Sequence, residues 1–447
     1  MRIFVSWKRL ALVALPVPLA AAPFAPPIQY RTGNVPELMA LGDLDQDGIL
    51  DVVVANTSAS EDIVAGDVSV LLGLEGGGLR RLGEWRAGDR PEGLLLALID
   101  RDPILDAVTA NFDESSISVL LGDGTGGFRT PIVIPAPGGP RSVVAVDLDR
   151  DGYMDLATAD YTGDSVTVWK GMGQGLFLPL PGIPAGNGPE VIATARVDGD
   201  ELVDLVTANA LDDSITAFVG RGNGTTFTPW PRHPVGDAPR FVLARDLDGD
   251  GFDDLIVANH FSGSISIERN LAGERFETVR RWTPAGLRRP IHVDAADLDA
   301  DGCLDLLATW FESDAFTVFP GAGGLDSGDV MIVSTARKPV GIACADFDRD
   351  GDVDVLVTST LEDRAVLHRS TLGGPHGPSL RTPDANGDGI MNLSDAISVL
   401  VYLHAGGAAP ACTKSADMDD SRSLGMDDPI RFLNHLVLGG PEPPPPF

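Results

Sequence analysis

The sequence predicts an all-β fold, a seven-bladed β-propeller of four-stranded blades, with a small α-helical module behind it. Three observations carry the propeller: a repeat near fifty residues, short alternating strands in every repeat, and an acidic loop at a fixed place in each. Aligning the second acid of every loop gives Asp45, Asp100, Asp149, Asp198, Asp248, Asp299 and Asp348, spaced 49 to 55 residues apart. A steady period of this size marks a blade array, because one unit cannot bury its apolar face until a neighbour stacks on it.

The third unit shows the strands in order. Arg141–Val146 reads as the first, Leu156–Ala159 as the second after the acidic loop, Ser165–Trp169 as the third, and a fourth begins at Leu176. Period-two alternation and β-branched content support each assignment. Pro36, Pro91, Pro140, Pro189, Pro239, Pro290 and Pro339 precede the first strands, where a proline ends a loop without breaking a ladder. The seventh unit lacks a fourth strand, whereas Ile28–Thr32 looks like a fourth strand with no predecessor. The N-terminal segment is therefore expected to complete the last blade and remove an exposed edge.

The formal charge of −32 argues against a nucleic-acid backbone as partner. Of the 65 acidic residues, 26 sit in the recurring loop, which makes cation binding the economical reading. Residues 1–22 combine a basic start, a short apolar core and small residues, and read as a secretory signal peptide. That core is short for a membrane span, and no other stretch approaches one, so the mature chain is expected to be secreted or at the cell surface without crossing the membrane. Cys303, Cys344 and Cys412 are too few and too scattered for a disulfide framework.

Five loops are complete: Asp43–Asp51, Asp147–Asp155, Asp246–Asp254, Asp297–Asp305 and Asp346–Asp354. Carboxylates at positions 1, 3, 5 and 9 around a glycine bring several oxygens together from one short segment, as a hard cation requires. The units resemble the FG-GAP or VCBS-type repeats of integrin-alpha-like propellers from about residue 28 to residue 369. The resemblance implies Ca2+ held by Asp43, Asp45, Asp47 and Asp51; Asp147, Asp149, Asp151 and Asp155; Asp246, Asp248, Asp250 and Asp254; Asp297, Asp299, Asp301 and Asp305; and Asp346, Asp348, Asp350 and Asp354. It further implies a backbone carbonyl from position 7, such as Ile49 or Tyr153. Two units depart from the pattern. Leu98 and Pro103 replace the first ligand and the glycine in the second, and Arg196 and Glu201 do so in the fourth, so both are expected to bind calcium weakly or not at all. The Arg196 guanidinium is expected to offset its own loop's carboxylates.

The domain reading is a propeller over 23–370, a Gly/Pro-rich linker over 371–383, a module over 384–440 and a proline-rich tail over 441–447. In the module, Asp384, Asn386, Asp388 and Asp395 stand at EF-hand spacing with Gly389 at position 6, ahead of an amphipathic stretch. Asp417, Asp419 and Asp428 repeat the loop, with Arg422 in place of the glycine. Paired loop–helix units with Asp at position 12 resemble a dockerin domain. That resemblance implies calcium and a cohesin-like partner, and a calcium-folded cap or surface-attachment tail is weighed equally.

Gly122–Gly127 fits a G-x-G-x-x-G pattern but opens no helix, and it reads as a hairpin turn. The seven histidines show no metal spacing and no nucleophile partner. Phe112, Tyr161, Phe261, Trp310 and Phe311 fall in the turns between second and third strands, on the face away from the acidic loops, with Arg90, Arg141, Arg240, Arg289 and Lys338 close by. Aromatics beside guanidinia suit an extracellular glycan or protein ligand. The sequence therefore reads as an exported, non-enzymatic calcium-binding propeller for adhesion or ligand binding. A lectin-like propeller is the first alternative and a polysaccharide-degrading enzyme the second.

Overall fold

The computed structural model describes residues 23–57, 66–222, 224, 226–247, 250–299, 304–321 and 330–371. Seven antiparallel sheets form a closed ring of blades. In the third blade the strands are Pro140–Val146, Asp155–Asp160, Ser165–Gly171 and Phe177–Pro179, with Ile183–Pro184 pairing back on the third. The fourth is shorter than its apolar pattern implies because Pro179 and Pro181 remove ladder donors.

The first strand of each blade is innermost and abuts the first strands of both neighbours. Each second strand is buried along its whole length, as in Asp254–Asn259, while outer strands such as Ile132–Pro135 alternate toward solvent. Apolar clusters lie between neighbouring blades, so each blade contributes one side chain layer to each of two seams. Ile28–Arg31 pairs with Arg364–His368 as the outer strand of the last blade, as the sequence predicts. The closure continues outward, with the Ala25 amide donating to the Arg369 carbonyl at 2.8 Å and the Thr371 amide to that of Pro23 at 3.0 Å.

One device recurs in all seven blades. The ninth-position aspartate is buried, and its Oδ1 accepts an amide at or just beyond the end of the third strand at 2.7–2.9 Å: Gly73, Gly122, Gly171, Gly220, Asn270, Gly321 and Ser370 in turn. In six of them its Oδ2 is seen accepting the second amide of its own loop, as Asp51 does from Leu44 at 2.8 Å. This carboxylate fastens the first hairpin of a blade to the second. It does so in blades 2 and 4 as well, where the loop is incomplete.

Metal loops and the opposite mouth of the channel

The acidic loops lie at one end of the ring. In four of them, carboxylate oxygens from positions 1, 3 and 9 fall within 4.8 Å of one another: Asp43, Asp45 and Asp51; Asp147, Asp149 and Asp155; Asp297, Asp299 and Asp305; Asp346, Asp348 and Asp354. The loop is shaped by its own chain. The Oδ1 and Oδ2 of Asp43 accept the Asp47 and Gly48 amides at 3.1 and 2.8 Å, and Asp147 repeats both bonds with Asp151 and Gly152. Gly48, Gly152, Gly251 and Gly351 adopt φ of 81–94°, which explains the glycine at position 6.

Position 5 also shapes the loop. The Oδ1 of Asp47, Asp151, Asp250 and Asp350 caps the amide two residues on at 2.7–2.9 Å, and in blades 1, 3 and 7 this aspartate stands beside the converging triad of positions 1, 3 and 9. The short reach of an Asx turn holds these side chains over their own loop. Asp246, Asp250 and Asp254 keep the same backbone bonds in blade 5, while Asp248 and Asp301 lie outside the described residues.

The triads fit a divalent cation on two observations. Asp346 Oδ1 and Asp348 Oδ1 are buried with no hydrogen-bond partner. Burial also raises the carboxyl of Asp51 to about 6 and that of Asp354 to about 7, with neighbouring aspartates adding to the shift. Carboxylates that resist ionising together are relieved by added positive charge.

Blade 4 departs as its sequence implies, with one correction. Arg196 does not offset its own loop; its amide donates to Asp253 Oδ2 at 2.7 Å and its guanidinium lies 3.8 Å from Asp253 Oδ1 in blade 5. The cation beside Asp198 is Arg221, at 3.8 Å. Position 1 directly follows the innermost strand, which abuts the first strand of the neighbouring blade, so a long side chain there reaches that blade.

The opposite end of the ring carries charge in a different form. The residue after each first-strand proline is Glu37, Glu92, Arg141, Glu190, Arg240, Ile291 and Val340 in turn. Arg141 sits between two carboxylates, Nε 3.2 Å from Glu92 and Nη1 2.8 Å from Glu190. Arg240 reaches Glu190 at 2.7 Å and Arg90 reaches Glu92 at 2.7 Å. Burial raises Glu37 and brings Glu92 to about 7 even with these guanidinia close, so desolvation outweighs pairing.

Aromatics ring this mouth. Phe112 and Tyr161 clasp the Arg141 guanidinium, with centroids 4.3 and 4.1 Å from its carbon. Phe261 is 68% exposed and lies under Arg289, and Phe311 lies under Lys338. Trp310 corrects the sequence reading. It is fully buried, and its Nε1 donates to Thr317 Oγ1 at 2.9 Å. Twenty residues after each proline stand Asn56, Asn111, Asp160, Asn209, Asn259, Trp310 and Ser359. In four blades this Asn bonds hydroxyls of the third strand, as Asn111 does with Ser116 and Ser118 and Asn209 with Thr216. Trp310 is blade 6's version of that buried link.

Gly122–Gly127 is a hairpin turn, closed by the Asp123 amide on the Gly127 carbonyl at 3.0 Å. Cys344 is a free thiol. No helix among the described residues is long and apolar enough to cross a membrane. Residues 1–22, which the sequence reads as a signal peptide, lie outside the described residues, as do Cys303, Cys412 and the stretch read as dockerin-like with Asp384, Asn386, Asp388, Asp395, Asp417, Asp419 and Asp428.

Residues 99–158 and 246–308 match the FG-GAP-like repeat family. These two stretches are FG-GAP-like. Each matched segment begins within or beside an acidic loop and ends in the second strand of a blade, so the FG-GAP-like motif and the blade share one frame. No curated protein matches the chain in sequence. Among solved structures, BBS1N in complex with ARL6DN aligns with a TM-score of 0.54 at 10% identity, over 78% of this chain and 97% of that one. A protein from Lactobacillus plantarum aligns with a TM-score of 0.51 at 16% identity, over 68% and 86%. A provisionally named 6-phosphogluconolactonase from Bacteroides uniformis aligns with a TM-score of 0.51 at 17% identity, over 67% and 86%. These likenesses show the propeller fold alone; the last carries an enzyme's name, against which the non-enzymatic reading of this chain has to be weighed.

Proposed function

We propose that the chain is an exported, calcium-stabilised binding propeller that captures a protein or glycan ligand at the channel mouth in adhesion or a related role. The observation that carries this reading is the division between the two ends of the ring: converging carboxylates at one, aromatics over guanidinia at the other. Asp43, Asp45 and Asp51, with their counterparts in blades 3, 6 and 7, would hold calcium. Bound calcium supplies the positive charge that these carboxylates lack. The loop backbone and the ninth aspartates orient the oxygens.

At the mouth, Phe261 and Phe311 offer apolar faces while Arg289 and Lys338 supply charge. The mouth carboxyl that titrates near neutrality, Glu92, has both oxygens against guanidinia, which suits a clamp better than proton transfer. The lectin-like reading draws on the exposed ring of Phe261, a platform for a sugar face. Tethering to a cohesin-like or cell-surface partner belongs to the same proposal and rests on the dockerin-like resemblance of residues 384–440.

A glycan array and a surface-protein binding screen with the purified chain test the reading. Retention of one ligand, lost at least tenfold in Phe261→Ala/Phe311→Ala with an unchanged melting temperature, supports it. Turnover of a lactone or a uronate polymer, abolished in Glu92→Gln, would replace it with the enzyme.

A further inference from the structure

The channel mouth is uneven around the ring. In blades 1 to 5 the residue after the first-strand proline is charged, and Arg90, just before the proline of blade 2, is held by Glu92 at 2.7 Å. Blades 6 and 7 have Ile291 and Val340 in that place, so Arg289 and Lys338, which stand where Arg90 does, meet no such carboxylate. They lie over rings instead. The Arg289 guanidinium is 5.6 Å from the Phe261 centroid and Lys338 Nζ is 4.4 Å from that of Phe311, each reaching back to the turn of the preceding blade. Leu361, 51% exposed, follows in the turn of blade 7, so apolar group and cation alternate over three consecutive blades. The fold sets these cations in place: the residue before the proline is left-handed in every blade, with φ of 48–66°. Glycine fills it in blades 3 and 4, whereas Arg289 and Lys338, like Val35, Arg90 and Ala238, bear the strain.

We infer that this arc of blades 5 to 7 is a subsite for an acidic polysaccharide: a uronic-acid chain lies across it, sugar faces on the rings and carboxylates on Arg289 and Lys338. The inference rests on reading the mouth as the ligand site, and it adds the class of ligand and the part of the mouth that takes it. Phe261 keeps most of its surface exposed even with Arg289 beside it, which leaves room for a sugar face. A guanidinium matches a carboxylate with two parallel hydrogen bonds.

The arc's own acids are turned to other tasks. Asp314 Oδ1 accepts the Lys338 amide at 3.0 Å and Glu362 Oε1 the Arg337 amide at 3.3 Å. Glu312 pairs with Arg289 at 3.2 Å between two part-exposed side chains, a weak contact that a ligand can replace. Among the described residues Lys338 forms no ion pair, and the exposed Arg288 and Arg337 add charge beside it. A peptide suits the arc less well. Peptides that dock on β-proteins pair their main chain with a free strand edge. Here the amides of Phe261, Phe311, Glu312 and Thr360 are already spent on the carbonyls of Asp237, Arg289, Arg288 and Lys338 at 3.0–3.4 Å.

Calorimetry of the purified chain in calcium tests this, with oligomers of galacturonate, glucuronate and mannuronate as probes beside methyl-esterified oligogalacturonate and polyglutamate. At least one oligouronate should bind, and the uncharged ester should bind about tenfold more weakly or worse than oligogalacturonate. Arg289→Gln and Lys338→Gln should each weaken binding about tenfold or more at an unchanged melting temperature. Arg129→Gln, which removes an exposed cation just after the Gly122–Gly127 turn, should stay within about twofold. Arg289→Gly and Lys338→Gly, which place there the residue found at Gly139 and Gly188, serve if a glutamine variant fails to fold. Failure of every oligouronate to bind, equal binding of polyglutamate, or oligouronate binding that persists in both charge-removing variants overturns the inference; the last result, with release on chelation, would put the polymer at the acidic loops. A neutral glycan or a protein that is retained and then lost in Phe261→Ala/Phe311→Ala would overturn the inference and leave the binding reading intact. A ligand indifferent to those two rings overturns both.

Discussion

Arg101, at the fourth position of the second blade's loop, donates its Nε to the carbonyl of Gly152 in the third blade's loop at 2.8 Å. Its guanidinium also lies 3.6 Å from the Tyr153 ring centroid. The link repeats between other neighbours: Gln46 to the Pro103 carbonyl at 2.8 Å, Arg150 to that of Glu201 at 2.6 Å, and Arg349 to that of Gly48. The last of these joins the seventh blade to the first. Position 4 of one loop thus grips position 6 of the next, with a left-handed backbone at Gln46, Arg101, Arg150 and Arg349 aiming each side chain forward.

Arg101→Ala removes a charge-assisted hydrogen bond and a cation–π contact, and should lower the unfolding free energy by about 1–2 kcal/mol. Denaturant titration measures it. Gln46→Ala, which loses a neutral bond alone, should cost about 1 kcal/mol or less. Equal costs for the two would show that the guanidinium adds nothing.

Asp204→Ala in blade 4 separates the ninth aspartate's two roles. Its oxygens accept the Val197 and Gly220 amides at 2.6 and 2.9 Å, and blade 4 lacks the first-position acid. Losing both acceptors in a buried setting should cost about 2–4 kcal/mol with no change in calcium content. Asp45→Ala should do the reverse, lowering calcium content by one atom per chain at small cost to the calcium-free fold. Metal analysis beside denaturation distinguishes the two.

Chelation acts on all triads together. A cation at a hundredfold over its dissociation constant stabilises the folded state by about 2.7 kcal/mol per site. Exhaustive chelation should therefore lower the melting temperature by roughly ten degrees or more. An unchanged melt would remove the structural role of calcium.

Trp310 and Phe311 are adjacent in sequence and should respond in opposite ways. Trp310→Ala opens a cavity in the wall between blades and should cost about 3–5 kcal/mol. Phe311→Ala, at the mouth under Lys338, should leave stability within about 1 kcal/mol and weaken ligand binding.

The mouth carboxyls give a pH signature. Burial raises Glu92 to about 7, with Glu37 and Glu190 adding to the shift and Arg141 and Arg90 opposing it. Because the folded value exceeds the ordinary one, folding favours the protonated form. The stabilisation is complete below the usual carboxylate range and is lost as pH rises through 7. Wild type should therefore lose stability between about pH 5 and 8 relative to Glu92→Gln, whose profile lacks this component. Denaturant midpoints at the two pH values measure the difference, and parallel profiles would refute the assignment.

The ring was readable from the sequence because its period is written three times over, in the prolines, the loops and the strands. The closing strand Ile28–Arg31 was readable for the same reason, since one unit lacked what the N-terminus had in excess. Single residues fared less well where a repeat position tolerates a substitute of different chemistry. Trp310 looks like a surface aromatic beside Phe311 until it is aligned with Asn111 and Asn259, when its place in the buried link becomes plain. Glu37, Glu92 and Glu190 carried a signal of their own, the residue after each proline, which acidic loops elsewhere in the chain obscured.

The seam at the last blade also sets how the ring can be held. Pro23 and Thr371 are hydrogen-bonded to each other, and Ser370 bonds Asp354 beside them, so both termini of the propeller depart from one spot on the acidic end. A load applied through either flank is delivered to the same two outer strands of a single blade. It pulls along the pair Ile28–Arg31 and Arg364–His368, whose bonds resist it in shear. Whatever anchors the chain by its C-terminal side therefore suspends the ring from its acidic end and turns the aromatic mouth away from the anchor, toward whatever approaches.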